Sequence, residues 1–157
     1  MTLFDEKVEA LVNPVNCVGV CGKGLALDFK NKFPKNYAEY RVACENGLVK
    51  PGEMFVTQTG INLPKYIINF PTKLHWKNPS RPEWIKTGLV QLVNVVMEKH
   101  IKSIAIPAIG CGLGGLDWRT VKPEIELVFS YVPGKIQVIL YGPDKTRSIP
   151  GDYDICR

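Results

Sequence analysis

The chain has 157 residues, of which 45% are hydrophobic and 22% charged, enough for one substantial core but not for two, and too apolar for global disorder. Its 20 lysines and arginines against 15 aspartates and glutamates leave a net charge of +5. That mild excess suits an anionic ligand or plain solubility, and it lacks the concentrated basic stripe of a dedicated duplex-DNA binder.

The segment from Val8 to Val15 reads as a buried strand, broken at Asn13-Pro14, that delivers a loop holding Gly19, Gly22 and Gly24. A helix is expected from about Leu25 to Phe33, closed by Pro34, and a second from Tyr37 to Glu45, closed by Asn46-Gly47. Short strands rich in branched and aromatic residues follow at Met54 to Gln58, Tyr66 to Phe70, Ile104 to Ile106 and Ile136 to Tyr141. Ahead of Ile104, Ser80-Arg81-Pro82-Glu83 has the spacing of a capping box, and Ile85, Leu89, Leu92 and Val96 give the following helix one apolar face. A last helix begins near Thr120, where Pro123 fits an early turn and Ile125 pairs with Phe129. Strands interspersed with helices predict a single α/β domain over residues 1–145, with a mostly parallel or mixed sheet covered on both faces. Residues 146–157 are a polar tail, with Tyr153 and Ile155 available to pack back on the domain.

Two glycine-rich segments fall at strand ends: Gly19-Val20-Cys21-Gly22-Lys23-Gly24, and Pro107 through Ala108, Ile109, Gly110, Cys111, Gly112, Leu113, Gly114 and Gly115. Glycine lets backbone approach a ligand closely, so successive N–H groups can converge on phosphate oxygens. Neither segment is a Walker loop or a complete dinucleotide GxGxxG. Phosphate binding and purely structural tight turns both fit the spacing, and convergence of several amides on one cleft separates them.

The polar residues near these loops have paired readings. Asn13 and Asn16 either orient a ribose or cap local backbone. Lys73, just after a strand, either acts on a diphosphate or an electrophilic sugar carbon, or is an ordinary solvated lysine. His75 either shuttles a proton or packs beside Trp76. Asp117 either touches substrate or caps the next helix, and Tyr141 either walls a pocket or packs in the interior. Cys17, Cys21, Cys44, Cys111 and Cys156 form no CxxC pair, and with His75 and His100 the only histidines no metal site or disulfide framework is expected. There is no apolar leader and no run of 18 apolar residues, which predicts a cytoplasmic protein without a membrane span.

The segments ALVNPVNCVGVCGKGLALDFKNKFP, NFPTKLHW and IPAIGCGLGGLDW together resemble the macrodomain family. Within it they are similar to the DNA ADP-ribosyl glycohydrolase antitoxin subgroup (DarG-like), related to the terminal ADP-ribose protein glycohydrolase branch. The resemblance spans roughly residues 8–142. It implies a three-layer α/β/α fold with ADP-ribose bound as ligand or product at the strand ends and no required cofactor. Asn16 and Tyr141 would face the distal ribose. Gly19, Val20, Cys21, Gly22, Lys23 and Gly24 would embrace that ribose and the diphosphate, and Ala108 with Gly110, Cys111, Gly112, Leu113 and Gly114 would line the phosphate channel. Lys73 would carry deglycosylation, with Asn16 fixing the sugar and His75 a secondary catalytic candidate.

The implied activity is removal of ADP-ribose from thymidine in single-stranded DNA by a monomeric enzyme, with Lys77 and Arg81 near the DNA phosphates. A cognate DNA ADP-ribosyltransferase toxin is the implied partner. Protein ADP-ribosyl hydrolysis and binding without turnover are the alternatives. Two departures bear on these. Protein-directed relatives carry an acidic residue after GCGL, where this chain has Gly114. The usual preceding strand, ending in a Gly-Asp pair that helps read adenine, has no counterpart ahead of Val8, and Gly151-Asp152 is a candidate substitute.

Overall fold

The computed structural model describes residues 1–150; Gly151-Asp152, Tyr153 and Ile155 lie outside the described residues. A six-stranded sheet runs in the order β2 (Phe55–Gln58), β3 (Tyr66–Lys73), β1 (Ala10–Asn16), β4 (Ser103–Ile106), β5 (Gln137–Tyr141), β6 (Arg147–Ser148). The four central strands are parallel, and β2 and β6 close the edges antiparallel, which makes the sheet mixed. Arg147–Ser148 falls within the stretch read from sequence as tail; its short ladder to β5 is what ends the sheet.

Side-chain alternation on the strands builds three layers. Ala10 and Val12 point into a core with Leu89 and Leu92 of α3 (Pro82–Glu98) and Ile125 of α4 (Trp118–Ser130). Leu11 points the other way, onto Phe29 of α1 (Gly24–Lys32). A third cluster seats Val15 and Cys21 against Tyr40 and Ala43 of α2 (Pro34–Glu45).

Three helix starts differ from the sequence expectation. Pro34 does not merely end α1; it occupies the first turn of α2, where its missing N–H costs nothing. At α3 the N-cap is Arg81 rather than Ser80, no side chain caps the helix, and the Ser80 hydroxyl is buried without a partner. At α4 the helix begins at Trp118, capped by Asp117, whose carboxylate accepts the Arg119 backbone N–H at 2.9 Å. Within α3, Gly88 lies against the Phe70 ring so closely that a Cβ there would sit 2.6 Å from Phe70 Cε1, which brings α3 down onto β3.

Candidate active site

A cleft of about 980 Å³ opens at the carboxyl ends of the parallel strands, the position where open α/β sheets bind ligands. Its floor is Pro14 to Asn16 from β1, Thr72 and Lys73 from β3, Pro107 and Ala108 after β4, and Tyr141 at the end of β5. The β1–β3 register runs Val15 to Pro71 and then Asn16 to Lys73, so Thr72 is the extra residue of a β-bulge. The Thr72 hydroxyl donates to the Val15 carbonyl at 3.4 Å and helps hold the irregularity. Lys73 is therefore set directly opposite Asn16. Its Nζ donates to the Trp76 carbonyl at 3.2 Å, and burial holds its pKa below the ordinary lysine value.

Asn16 organises the first glycine loop. Its Oδ1 accepts the backbone N–H groups of Val18, Gly19 and Val20 at 3.1, 3.1 and 3.3 Å and the Tyr40 hydroxyl at 3.0 Å, while Nδ2 donates to the Val20 carbonyl at 2.8 Å. The side chain thus lines the cleft while spending its acceptor on the loop. Burial pushes the Tyr40 hydroxyl's pKa well above its ordinary value, so it acts here as a fixed donor. Beyond this hub the chain enters α1 with no side-chain cap at Lys23, and Gly22, Lys23, Gly24, Leu25 and Ala26 all border the cleft. An open helix N-terminus of this kind presents unpaired N–H groups and a partial positive charge to an anion.

Gly19 and Cys21 take a different position from the rest of their loop. They do not border the cleft; with Val20 and Gly22, which border both, they line a smaller recess together with Lys30, Tyr37 and Arg41. The Gly19 N–H is consumed by Asn16, and the Cys21 side chain packs in the α2 core.

The second glycine loop contributes Ala108, Gly110, Cys111, Gly112, Leu113 and Gly114 to the same cleft. Gly110 has φ +75 and faces Ile85 and Leu116, so a side chain there meets both strain and contact. Gly114 is constrained sterically: a Cβ on it would stand 2.6 Å from Ser80 Oγ, and the Ser80 N–H donates to the Gly114 carbonyl at 2.9 Å. Cys111 borders the cleft, but burial, aided by Asp117, pushes its thiol up to about 11, which disqualifies it as a ready nucleophile. Among the described residues no group of His, Cys, Asp and Glu could hold a metal, and no helix is long and apolar enough to cross a membrane.

His75 does not border the cleft; its Nδ1 accepts the Lys77 N–H at 3.1 Å and its ring stacks on Trp76, which does border it. Lys77 and Arg81 lie over the rings of Trp76 and Trp84, each at 5.2 Å from the centroid. Asn13 is in the interior, donating to Asn69 at 3.0 Å, and its own carbonyl oxygen is buried without a partner. Tyr141 closes the cleft on β5, three strands from Lys73 in the sheet order, or roughly 14 Å at ordinary strand spacing. Its hydroxyl donates to Glu6 at 3.1 Å, and Glu6 in turn pairs with Arg147.

The cleft wall beside Tyr141 was not legible in the sequence. Thr2, Leu3, Phe4 and Asp5 border it through a short 3-10 turn, with the Asp5 carboxylate accepting the Thr2 N–H at 2.7 Å. Phe4 packs edge-on against Phe29, with centroids 4.8 Å apart, and Lys32 Nζ lies 5.3 Å from its ring. Lys23, Lys32, Lys73 and Lys145 face Asp5 and Asp28 around the opening, an excess of positive charge that favours an anionic ligand.

With this geometry fixed, comparison with known proteins is decisive at family level. The model of the Macro domain matches residues 12–125. The chain belongs to the Macro domain family. A DNA ADP-ribosyl glycohydrolase of Mycobacterium tuberculosis is 47% identical over 151 residues, 95% of this chain and 43% of that protein. The solved macrodomain of Mycobacterium tuberculosis DarG superposes with a TM-score of 0.88 at 46% identity, covering 91% of this chain and 94% of that one. Thermosipho africanus DarTG in complex with ADP-ribose superposes with a TM-score of 0.84 at 35% identity, over 93% of this macrodomain and 41% of that chain. The macrodomain spans less than half the length of the curated relatives it matches at 37% identity or better over most of its length.

Proposed function

We propose that this macrodomain hydrolyses the bond between ADP-ribose and a thymine nitrogen in single-stranded DNA. The observation that carries this is the bulge that sets Lys73 opposite Asn16 in a cleft walled by both glycine loops. The diphosphate lies on the α1 N-terminus and the second loop. The distal ribose sits over the Asn16 hub, and the adenosine extends toward Phe4, Asp5 and Tyr141. Burial lowers the Lys73 pKa and so eases loss of its extra proton, and it is through its free-amine form that Lys73 reaches the anomeric carbon. Its nitrogen bonds to that carbon as the thymine nitrogen leaves with the amine's proton. Water then adds at the same carbon, releasing ADP-ribose and restoring the amine.

Asn16 is a positioning residue that fixes the loop under the sugar. A single strand exposes its base without the cost of unstacking a duplex, and Lys77 and Arg81 stand near its phosphates. The partner reaction is that of a DNA ADP-ribosyltransferase, which supplies the modified base. The protein-directed chemistry is disfavoured by Gly114, which stands where that branch has an acidic residue; a Cβ there would meet Ser80 Oγ at 2.6 Å, so any side chain at 114 requires Ser80 to shift. The test is a substrate panel: ADP-ribose release from modified single-stranded DNA against release from a protein modified on an acidic side chain. Release from DNA is expected; release from the protein alone overturns the assignment.

A further inference from the structure

We infer that Trp76 and Leu113 seat the nucleobase that leaves, and so select a base-linked ADP-ribose over other conjugates; this rests on the cleft's proposed use as an ADP-ribosyl site. Both side chains border the cleft, and both are exposed, Trp76 to 48% and Leu113 to 71%. Exposed apolar groups of this size on opposite segments of one rim mark a contact surface. The Ser80 N–H to Gly114 carbonyl bond at 2.9 Å ties the segment that follows Trp76 to the loop that carries Leu113, so both belong to one connected rim of the cleft. They are also at the reacting end, since Lys73 Nζ donates to the carbonyl of Trp76 itself.

The Trp76 ring is braced rather than free. His75 stacks on it at 5.4 Å with 30° between planes, and the His75 Nδ1 is fixed by the Lys77 N–H. A braced indole loses little further freedom when a base lands on it, and every base offers a face to stack. Lys77 Nζ lies 5.2 Å from the ring centroid, so an arriving base leaves that ammonium beside the adjoining phosphates. Charge fits a polyanion here: Lys73, Lys77 and Arg81 follow one another along the chain with no acidic residue between Glu53 and Glu83.

The experiment measures affinity in the Lys73→Ala background for free ADP-ribose and for a short thymidine oligonucleotide carrying ADP-ribose on its base. Adding Trp76→Ala is expected to weaken the oligonucleotide about tenfold and to leave free ADP-ribose within about twofold, while Trp76→Phe keeps most of the affinity because a stacking face remains. Equal losses for the two ligands, or no loss for the oligonucleotide, overturn the inference. Oligonucleotide that binds through Trp76 but is never cleaved by the wild-type chain would instead sink the hydrolase assignment and leave the base seat standing. Cleavage unaffected by Trp76→Ala would do the reverse.

Discussion

Lys73 stands opposite Asn16 because Thr72 is an extra residue in β3, so the ladder steps from Val15–Pro71 to Asn16–Lys73. Side chains alternate faces along a strand, and the bulge therefore decides which residue of Thr72-Lys73 stands opposite the asparagine. Burial at that point disfavours the ammonium, which lowers the Lys73 pKa. The penalty is present wherever the lysine is charged in the folded chain and fades as pH climbs toward the ordinary value of 10.5. Lys73→Met should accordingly melt higher than wild type at pH 7, with the difference shrinking as the buffer approaches that value. Thermal melts across pH 7 to 10 test it, and a lower-melting methionine variant at neutral pH contradicts it.

Asn16→Ala should cost about 2–4 kcal/mol of stability, because three loop N–H groups lose their acceptor together, while the Tyr40 hydroxyl keeps the Asn16 backbone carbonyl at 2.8 Å. Asn16→Asp keeps an oxygen acceptor for those donors and loses the amide's bond to the Val20 carbonyl, so it should retain most of the stability lost in the alanine variant. Denaturant titrations of the two variants separate hub loss from simple truncation. Equal destabilisation by both would show that the acceptor is not what holds the loop.

The Ser80 hydroxyl is buried at 6% exposure without a partner and presses on Gly114. Ser80→Ala should therefore leave stability unchanged or raise it by up to about 1 kcal/mol. Gly114→Ala should cost about 1–3 kcal/mol by overpacking, and less in the Ser80→Ala background, where only a Cβ at 3.3 Å remains. A double-mutant cycle measures the coupling; additive effects would mean that the serine is not the obstacle.

The thiols facing the first loop and the cleft are poor nucleophiles, since burial pushes Cys17, Cys21 and Cys111 each up to about 11. Alkylation by iodoacetamide should be slow at pH 8 and keep accelerating as pH rises past 9. Saturating ADP-ribose should protect Cys111, which borders the cleft. Fast modification at pH 8, read by mass spectrometry, would contradict the burial argument.

Much of the frame was legible because local patterns agreed with the global fold. The apolar face of α3 from Ile85 to Val96 and the strand ending at Tyr141 follow from residue spacing alone, whereas β1, expected to break at Asn13-Pro14, runs on through them to Asn16. The loop glycines at 22, 24, 110, 112 and 114 meet in one cleft because each segment follows the carboxyl end of a parallel strand. What stayed hidden depends on relations between distant segments. A bulge is a property of two paired strands, so nothing in Phe70-Pro71-Thr72-Lys73 announces it. Ser80 carries capping-box spacing, yet its side chain turns to the second glycine loop instead. The turn at Thr2 to Asp5 has no periodicity, and it becomes a cleft wall only because Leu3 docks in the α1-side core and Tyr141 bonds back to Glu6 and Thr2.

The most direct measurement is ADP-ribose release from ADP-ribosylated single-stranded DNA by wild type and Lys73→Ala, with ADP-ribose affinity measured on both. If Lys73 converts the glycine-loop cradle into a hydrolase, the variant should lose about 10²–10⁴-fold in rate while binding ADP-ribose within a few fold of wild type. Undiminished release by Lys73→Ala would contradict the account.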